Sequence, residues 1–265
     1  RARPGLKIIG VAPDDLECSS SLAVLRYGDA SLDGEGMRFR VSYEGACAWV
    51  RVPLFGDFNI ENVAGILGVL VGLGWSLEAS AAQASKLQPV PGRMERVPCS
   101  HRQVIVDYAH TPDALSASLK AARRHTRGAL WVVFGCGGNR DRGKRQEMGQ
   151  VASALADHLV LTDDNPRDED GEAILQEILL GVGSKAVSIL RDRREAIRYA
   201  ISSIGPDDLL LVAGKGHETT QEISGVKYPF NDRQVIEEVC RQDLRPGLLA
   251  QVPDSSVFHG GTACC

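Results

Sequence analysis

The chain has 265 residues, 43% hydrophobic and 24% charged, with a formal net charge of -4. That length holds one large domain or two small ones, and the charge balance gives no reason to expect a nucleic-acid or membrane-surface partner. No apolar run approaches the length of a membrane span. The seven cysteines, Cys18, Cys47, Cys99, Cys136, Cys240, Cys264 and Cys265, are scattered without a C-x-x-C pair. They read as reduced thiols of a cytosolic protein. Arg1 to Gly5 has no apolar segment of the signal-peptide kind, and a chain that opens on Arg1 reads as a piece of a longer one.

In chain order, Leu6 to Val11 reads as a strand that turns at Pro13-Asp14-Asp15. Short strands are expected over Ala23–Tyr27, Met37–Tyr43 and Ala46–Val52, separated by Gly-Asp and Glu-Gly turns. Asn59 to Leu73 has the apolar spacing of a largely buried helix, and Leu77 to Leu87 reads as a second one. Pro89-Val-Pro-Gly-Arg93 breaks the pattern as a stiff linker. Beyond it, strands and helices alternate. Val104–Asp107 is a strand, and Thr111-Pro-Asp opens a helix with a capping hydroxyl and an early proline. Strands follow at Leu130–Phe134, Leu159–Thr162, Ala186–Leu190 and Leu209–Ala213. Helices are expected over Gln146–Ala156, Glu172–Leu180 and Asp192–Ile201, the last with Asp192 and Glu195 spaced as a capping pair. Glu222–Tyr228 reads as a further strand, Asn231–Cys240 as a closing helix, and Gln242–Cys265 as a loose tail. The alternation predicts an α/β fold, a mostly parallel sheet with helices on both faces.

The most distinctive stretch is Val132 to Arg145. An apolar strand stops at Gly135, three glycines fall within four residues, and five charged side chains lead into a helix. Glycines allow close backbone approach to a ligand, and a helix start offers free N–H groups. With Arg140, Arg142, Lys144 and Arg145, the loop suits an anion, and it reads equally as a solvated βα loop. In such sheets ligands bind beyond the carboxyl ends of the strands. Asp107-Tyr-Ala-His-Thr-Pro112, Gly135–Arg145, Asp163-Asp-Asn-Pro-Arg167 and Gly214-Lys-Gly-His-Glu218 all fall at that edge.

Taken with Gly56-Asp-Phe-Asn-Ile-Glu-Asn62 and Pro91-Gly-Arg-Met-Glu95, these ordered segments resemble the Mur ligases over roughly residues 1 to 240. Within that family they are similar to the members that add meso-diaminopimelate. The resemblance implies a remnant of the ATP-binding central domain over residues 1–96. It implies a Rossmann-like, amino-acid-binding C-terminal domain over 97–241, and a tail over 242–265. It implies a cytoplasmic, monomeric enzyme of peptidoglycan precursor synthesis that uses ATP and Mg2+. Its substrates would be a UDP-N-acetylmuramoyl-dipeptide, meso-diaminopimelate and ATP, joined through an acyl phosphate, with no nucleic acid and no membrane as partner.

By the same resemblance, Arg140, Asp164, Asn165, Pro166, Arg167, Gly214 and Glu218 bind meso-diaminopimelate. Arg167 would grip its second carboxylate, Arg140 would suit a carboxylate and Glu218 an ammonium. Asn59, Asn62, Arg93 and Asp107 would contact ATP, with Asp107 placed for ribose hydroxyls. Asn59 and Asn62 also read as a helix cap and polar edge. His110 is a pocket neighbour or a structural histidine, and Lys215 a phosphate ligand or an ion-pair partner. No catalytic residue and no metal ligand is assigned. No G-x-x-x-x-G-K-[ST] phosphate loop occurs, so the 265 residues are expected to be inactive alone. A non-catalytic amino-acid or nucleotide-binding module is the alternative. A nicotinamide oxidoreductase is disfavoured because the glycine loop lacks the third glycine of G-x-G-x-x-G, and a folylpolyglutamate synthetase because of the Asp-Asn-Pro-Arg segment.

Overall fold

A computed structural model of the chain describes residues 8–17 and 22–243. The chain divides into two compact units, Arg1–Pro89 and Val90–Cys265. The boundary expected at 96/97 falls inside a strand, β5 (Glu95–Cys99), which pairs along its length with β6 (Arg102–Asp107). The Pro91–Met94 turn therefore belongs to the second unit.

In the first unit β1 (Ile9–Pro13), β2 (Ala23–Asp33), β3 (Gly36–Tyr43) and β4 (Ala46–Val52) form one sheet in that order, β1 parallel to β2 and the rest antiparallel. The first residues of the strand expected from Leu6 lie outside the described residues. β2 runs past the expected end at Tyr27 because it resumes pairing with β3 after a bulge between Gly28 and Ser31. Glu44 and Gly45, both with positive φ, close the β3–β4 hairpin in the twist such two-residue turns require. Helix α1 (Phe58–Gly72) packs on β1, β2 and β3, and α2 (Leu77–Ala84) on β4. Leu25, Phe39, Val41, Val50, Ile60 and Leu67 form the shared core.

In the second unit β5 and β6 are followed by α3 (Pro112–Arg123), β7 (Leu130–Phe134), α4 (Gly143–Leu155), β8 (His158–Leu161), α5 (Gly171–Val182), β9 (Val187–Ile189), α6 (Arg193–Ser203) and β10 (Leu209–Ala213). The sheet order is β5-β6-β10-β7-β8-β9, parallel except for the edge strand β5. Crossovers running one way along the sheet carry α3, α4 and α5. The return to β10 carries α6, and the right-handed rule puts it on the opposite face. Val104, Val106, Val133, Val160 and Val212 pack there with Ile197 and Ile201 of α6. Alternation turns Ile105, Val132 and Leu211 to the other face, where α3 packs on β10.

Four expectations are corrected here. Glu222–Tyr228 is a hairpin, β11 (Thr220–Ile223) and β12 (Val226–Pro229), turned at Ser224 and Gly225 with φ of 50° and 74°. The helix expected from Gln146 begins at Gly143, where Asp141 accepts the Gly143 N–H at 2.9 Å. The expectation of reduced thiols fails at Cys99 and Cys240, which form a disulfide between β5 and α7 (Asp232–Asp243), Cα–Cα 5.1 Å. Cys47 and Cys136 are free, and Cys18, Cys264 and Cys265 lie outside the described residues. Helix α7 occupies the start of the segment expected as a tail, and residues 244–265 are not described.

Candidate functional site

The parallel strands bring the loops after β6, β7, β8 and β10 to one edge of the second unit. The insertion of β10 between β6 and β7 sets the Gly214 loop beside both the Asp107 loop and the glycine loop. The loops after β7 and β8 lie directly on each other. Gly138 donates its N–H to Asn165 O at 2.9 Å, and a Cβ at Gly138 would fall 1.9 Å from Pro166 O. Only glycine allows that approach.

The Asp-Asn-Pro-Arg segment is tied on every side. Asn165 Oδ1 accepts from Lys215 Nζ and from the Glu222 N–H, and its Nδ2 donates to Glu218 Oε2, each at 2.9 Å. Lys215 Nζ also reaches Glu218 Oε2 at 2.9 Å. Lys215 is fully buried, so of its two readings the structure shows the ion-pair partner. Burial pushes the Glu218 carboxyl up, but hydrogen bonds from Lys215 and Asn165 outweigh it and hold the pKa below the usual value. Arg167 has a φ of 54°, held by its N–H to Glu222 O at 3.0 Å and by Ser224 N–H to its carbonyl at 2.6 Å. Its Nη1 donates to Gly138 O at 2.7 Å and its Nε pairs with Glu222 Oε2 at 3.4 Å. The other guanidinium N–H groups of this partly exposed side chain remain for a carboxylate.

Asp164 is 9% exposed, and its Oδ2 has no hydrogen-bond partner among the described residues. Burial raises its pKa, opposed by the charges of Arg193 and Lys215. A buried carboxylate oxygen without a donor is costly unless something supplies one, and a ligand ammonium fits that demand.

The cations of the glycine loop differ in how far they are already engaged by the described residues. Arg145 is fully buried between Glu177 (2.8 Å) and Glu169 (2.9 Å), and Arg142 pairs with Glu177. Lys144 donates to His110 O at 2.8 Å. Arg140 is exposed, with no hydrogen bond or ion pair to the described residues. Cys136, buried in the same loop, has its thiol pushed up by that burial to about 12 and is no nucleophile.

The residues expected at ATP fall in both units. In the first, Asn59 Nδ2 donates to Phe55 O at 2.8 Å and its Oδ1 accepts from Asn62 Nδ2 at 3.1 Å, while the cap of α1 is Asp57. Neither asparagine is therefore the cap. In the second, the Asp107 carboxylate is buried, accepting Met94 N–H at 2.9 Å and Ser118 Oγ–H at 2.5 Å. Both its oxygens are thus engaged, Oδ1 with the Pro91–Met94 turn and Oδ2 with Ser118 on α3. Arg93 is exposed, with its guanidinium carbon 4.6 Å from the centre of the Tyr108 ring. Tyr108 also meets His110 edge-on at 4.6 Å and His217 at 5.2 Å. His110 Nδ1 lies 2.8 Å from Tyr108 O, a geometry that orients the exposed ring.

Residues 92–216 match the family profile described as "Mur ligase, glutamate ligase domain". A protein of Alkalilimnicola ehrlichii named UDP-N-acetylmuramoyl-L-alanyl-D-glutamate--2,6-diaminopimelate ligase is 48% identical over 213 residues, 80% of this chain and 43% of the relative. A protein of the same name from Xanthomonas campestris pv. campestris is 43% identical over 252 residues, 94% of this chain and 50% of the relative. Residues 92–216 are a Mur ligase domain. The chain spans about half the length of the curated relatives it matches. A solved diaminopimelate ligase structure superposes with a TM-score of 0.72 at 37% identity, covering 86% of this chain and 47% of that one. Folylpolyglutamate synthase of Thermotoga maritima, at 21% identity and a TM-score of 0.58, shares the fold alone.

Several residues that shape this Mur ligase domain escaped the sequence reading. Glu169 and Glu177 hold Arg145, read from sequence as a cation for an anionic ligand, in a clamp on the glycine loop, and Glu169 also accepts the Asn139 N–H. Arg193 and Asp232, both fully buried, form a two-pronged ion pair behind Gly214. A charged residue in a first helical turn reads as solvated, and only the tertiary fold buries these. Thr111, whose hydroxyl accepts the Ala114 N–H ahead of Pro112 at the start of α3, was legible as the helix cap it is.

Proposed function

We propose that this chain carries the amino-acid-binding part of an ATP-dependent ligase that adds meso-diaminopimelate to UDP-N-acetylmuramoyl-L-alanyl-D-glutamate. Mur ligases are ATP-dependent enzymes that form amide bonds. The observation that carries the reading is the junction of the Asp164–Arg167 and Gly214–Glu218 loops. It presents an unpartnered buried carboxylate oxygen on Asp164 and a fixed guanidinium on Arg167. Diaminopimelate carries an ammonium and a carboxylate at each end. Asp164 and Glu218 suit an ammonium, and Arg167 and Arg140 suit carboxylates.

In the reaction proposed, ATP phosphorylates the side-chain carboxylate of the D-glutamyl substrate, and the neutral amine of diaminopimelate attacks the acyl phosphate. The role of this unit is to hold the amine donor in place, where proximity supplies much of the rate. ATP would be met from the second unit by the exposed Arg93, while Asp107 acts as the tie beneath it. Asn59 and Asn62 keep the proposed adenine contacts in the first unit. Among the described residues no group of three or more His, Cys, Asp or Glu side chains could hold a metal ion, so the proposal gives these residues no role toward Mg2+. Among the described residues, too, no helix is long and apolar enough to cross a membrane; a cytoplasmic, monomeric protein is part of the same proposal.

Titration of the purified chain with meso-diaminopimelate and with L-lysine, followed by amide NMR, tests the reading. Shifts at Asn165, Arg167 and Gly214 with diaminopimelate and far weaker ones with lysine are expected. Equal responses to both amino acids would rule out a pocket built for the second carboxylate.

A further inference from the structure

Buried ion pairs are weak sources of stability, because desolvation offsets the Coulombic gain. Arg193 and Asp232 nonetheless meet with both side chains fully buried, Nε to Oδ1 and Nη2 to Oδ2, each at 2.8 Å. Arg193 has two further features. Its Nη2 donates to Ala213 O at 2.9 Å, the last carbonyl of β10 before Gly214, and its Nη1 is buried without a hydrogen-bond partner. Gly214 has a φ of 114°, and a Cβ built there would lie 2.6 Å from Asp164 Oδ2 and 4.0 Å from Arg193 Nη2. The unpartnered carboxylate oxygen and the guanidinium therefore flank the same glycine.

We propose that Arg193, fixed by Asp232, is a positioning residue of the amino-acid pocket. It holds the Ala213 carbonyl at the entry to the Gly214 turn and supplies the positive charge beside Asp164, leaving the carboxylate to accept a substrate ammonium. This deepens the amino-acid reading above and rests on it. The groups facing Asp164 are Arg193 on α6, Lys215 and Glu218 after β10, Asp232 on α7 and the Cys136 thiol. Burial favours the protonated acid, and Arg193 is the largest influence against it. An acid kept protonated at neutral pH would offer an ammonium no charge.

The test follows the Asp164 carboxyl carbon by NMR in the 265-residue chain labelled at aspartate, with the signal assigned by its loss in Asp164→Asn. Arg193→Gln should raise the Asp164 midpoint by about one pH unit or more. Arg193→Lys, which keeps the charge, should return most of that shift. Asp232→Asn removes a negative neighbour and should lower the midpoint. Affinity for meso-diaminopimelate at pH 7 should fall roughly tenfold in Arg193→Gln. A folded Arg193→Gln chain with an unchanged midpoint overturns the proposal. If that variant does not fold, Arg193→Lys decides: loss of the two-pronged tie to Asp232 should weaken diaminopimelate binding several-fold, and an unchanged affinity overturns it. Binding that responds to Asp164→Asn and not to Arg193→Gln would remove Arg193 from the pocket and leave the amino-acid reading standing. Midpoints that move as expected in a chain that binds no diaminopimelate would establish the charge coupling and overturn the amino-acid reading.

Discussion

In the second unit a six-stranded sheet has helices on both faces, and β10 at its centre buries all five residues from Leu209 to Ala213. In the first, α1 and α2 pack on a four-stranded sheet whose Trp49 and Arg51 are exposed. Helix α1 itself turns an apolar stripe of Phe58, Ile66 and Val69 to solvent, followed by Leu73 and Trp75. The charges differ in the same way. Those of the second unit that matter most, Arg145, Arg193, Lys215 and Asp232, are buried and ion-paired. The Arg40 pairs with Asp14 and Asp29 in the first are open to water. A binding site needs donors and acceptors held to a fraction of an ångström, and loops resting on strands buried on both faces can provide that.

The largest effect that would sharpen this contrast is at Asp232. Asp232→Ala leaves Arg193 buried and unpaired, and should cost about 3–5 kcal/mol of second-unit stability. Arg40→Ala in the first unit should cost less than about 1 kcal/mol. Urea unfolding read at Trp131, with Trp49 and Trp75 changed to Phe, would give the first value, and a chain keeping only Trp49 the second. Equal losses would erase the distinction.

Within the first unit the contrast lies across one helix. Leu67→Ala, on the buried face of α1, should cost about 2–4 kcal/mol through the cavity it leaves. Val69→Ser, on the exposed stripe, should stay within about 0.5 kcal/mol. A large loss at Val69 would mean that the stripe is covered in solution.

A smaller effect is expected with pH. Hydrogen bonds from Arg145 and from Asn139 N–H hold Glu169 below its ordinary value of 4.5, and Arg142 does the same for Glu177. A carboxylate with a lowered folded pKa contributes stability above its unfolded value and loses it as pH falls through the folded one. The urea midpoint of the second unit should therefore decline below about pH 4.5, and Arg145→Met should flatten that decline. An unchanged slope in the variant would show that the clamp does not contribute.

Most of the second unit was legible because its strands announce themselves. Leu130–Phe134 and Leu209–Ala213 are unbroken apolar runs, the signature of strands buried on both faces. Strand β5 was not, since Glu95-Arg-Val-Pro-Cys99 mixes charges with a proline, which only an edge strand tolerates. The loops bearing Asn165, Arg167 and Gly214 could be placed at the strand ends from order alone. Their contacts could not, because Asn165 meets Lys215 and Glu218 across 50 and 53 positions, and Arg167 takes its positive φ from a hairpin that read as one strand. Pairing Cys99 with Cys240 across 141 residues likewise depends on α7 packing against β5.

The proposed pocket takes a second carboxylate, and Arg167 tests that most directly. The affinities of the chain for meso-diaminopimelate and L-lysine would be measured by calorimetry before and after Arg167→Ala. Diaminopimelate binding should weaken by about 2–4 kcal/mol, the scale of a desolvated charge-assisted contact, while lysine binding changes far less. Arg167→Lys should restore only part of the loss, since an ammonium cannot form the two-pronged contact. If both amino acids weaken in equal proportion, Arg167 serves only to hold Gly138 and Glu222, and the assignment of the pocket is wrong.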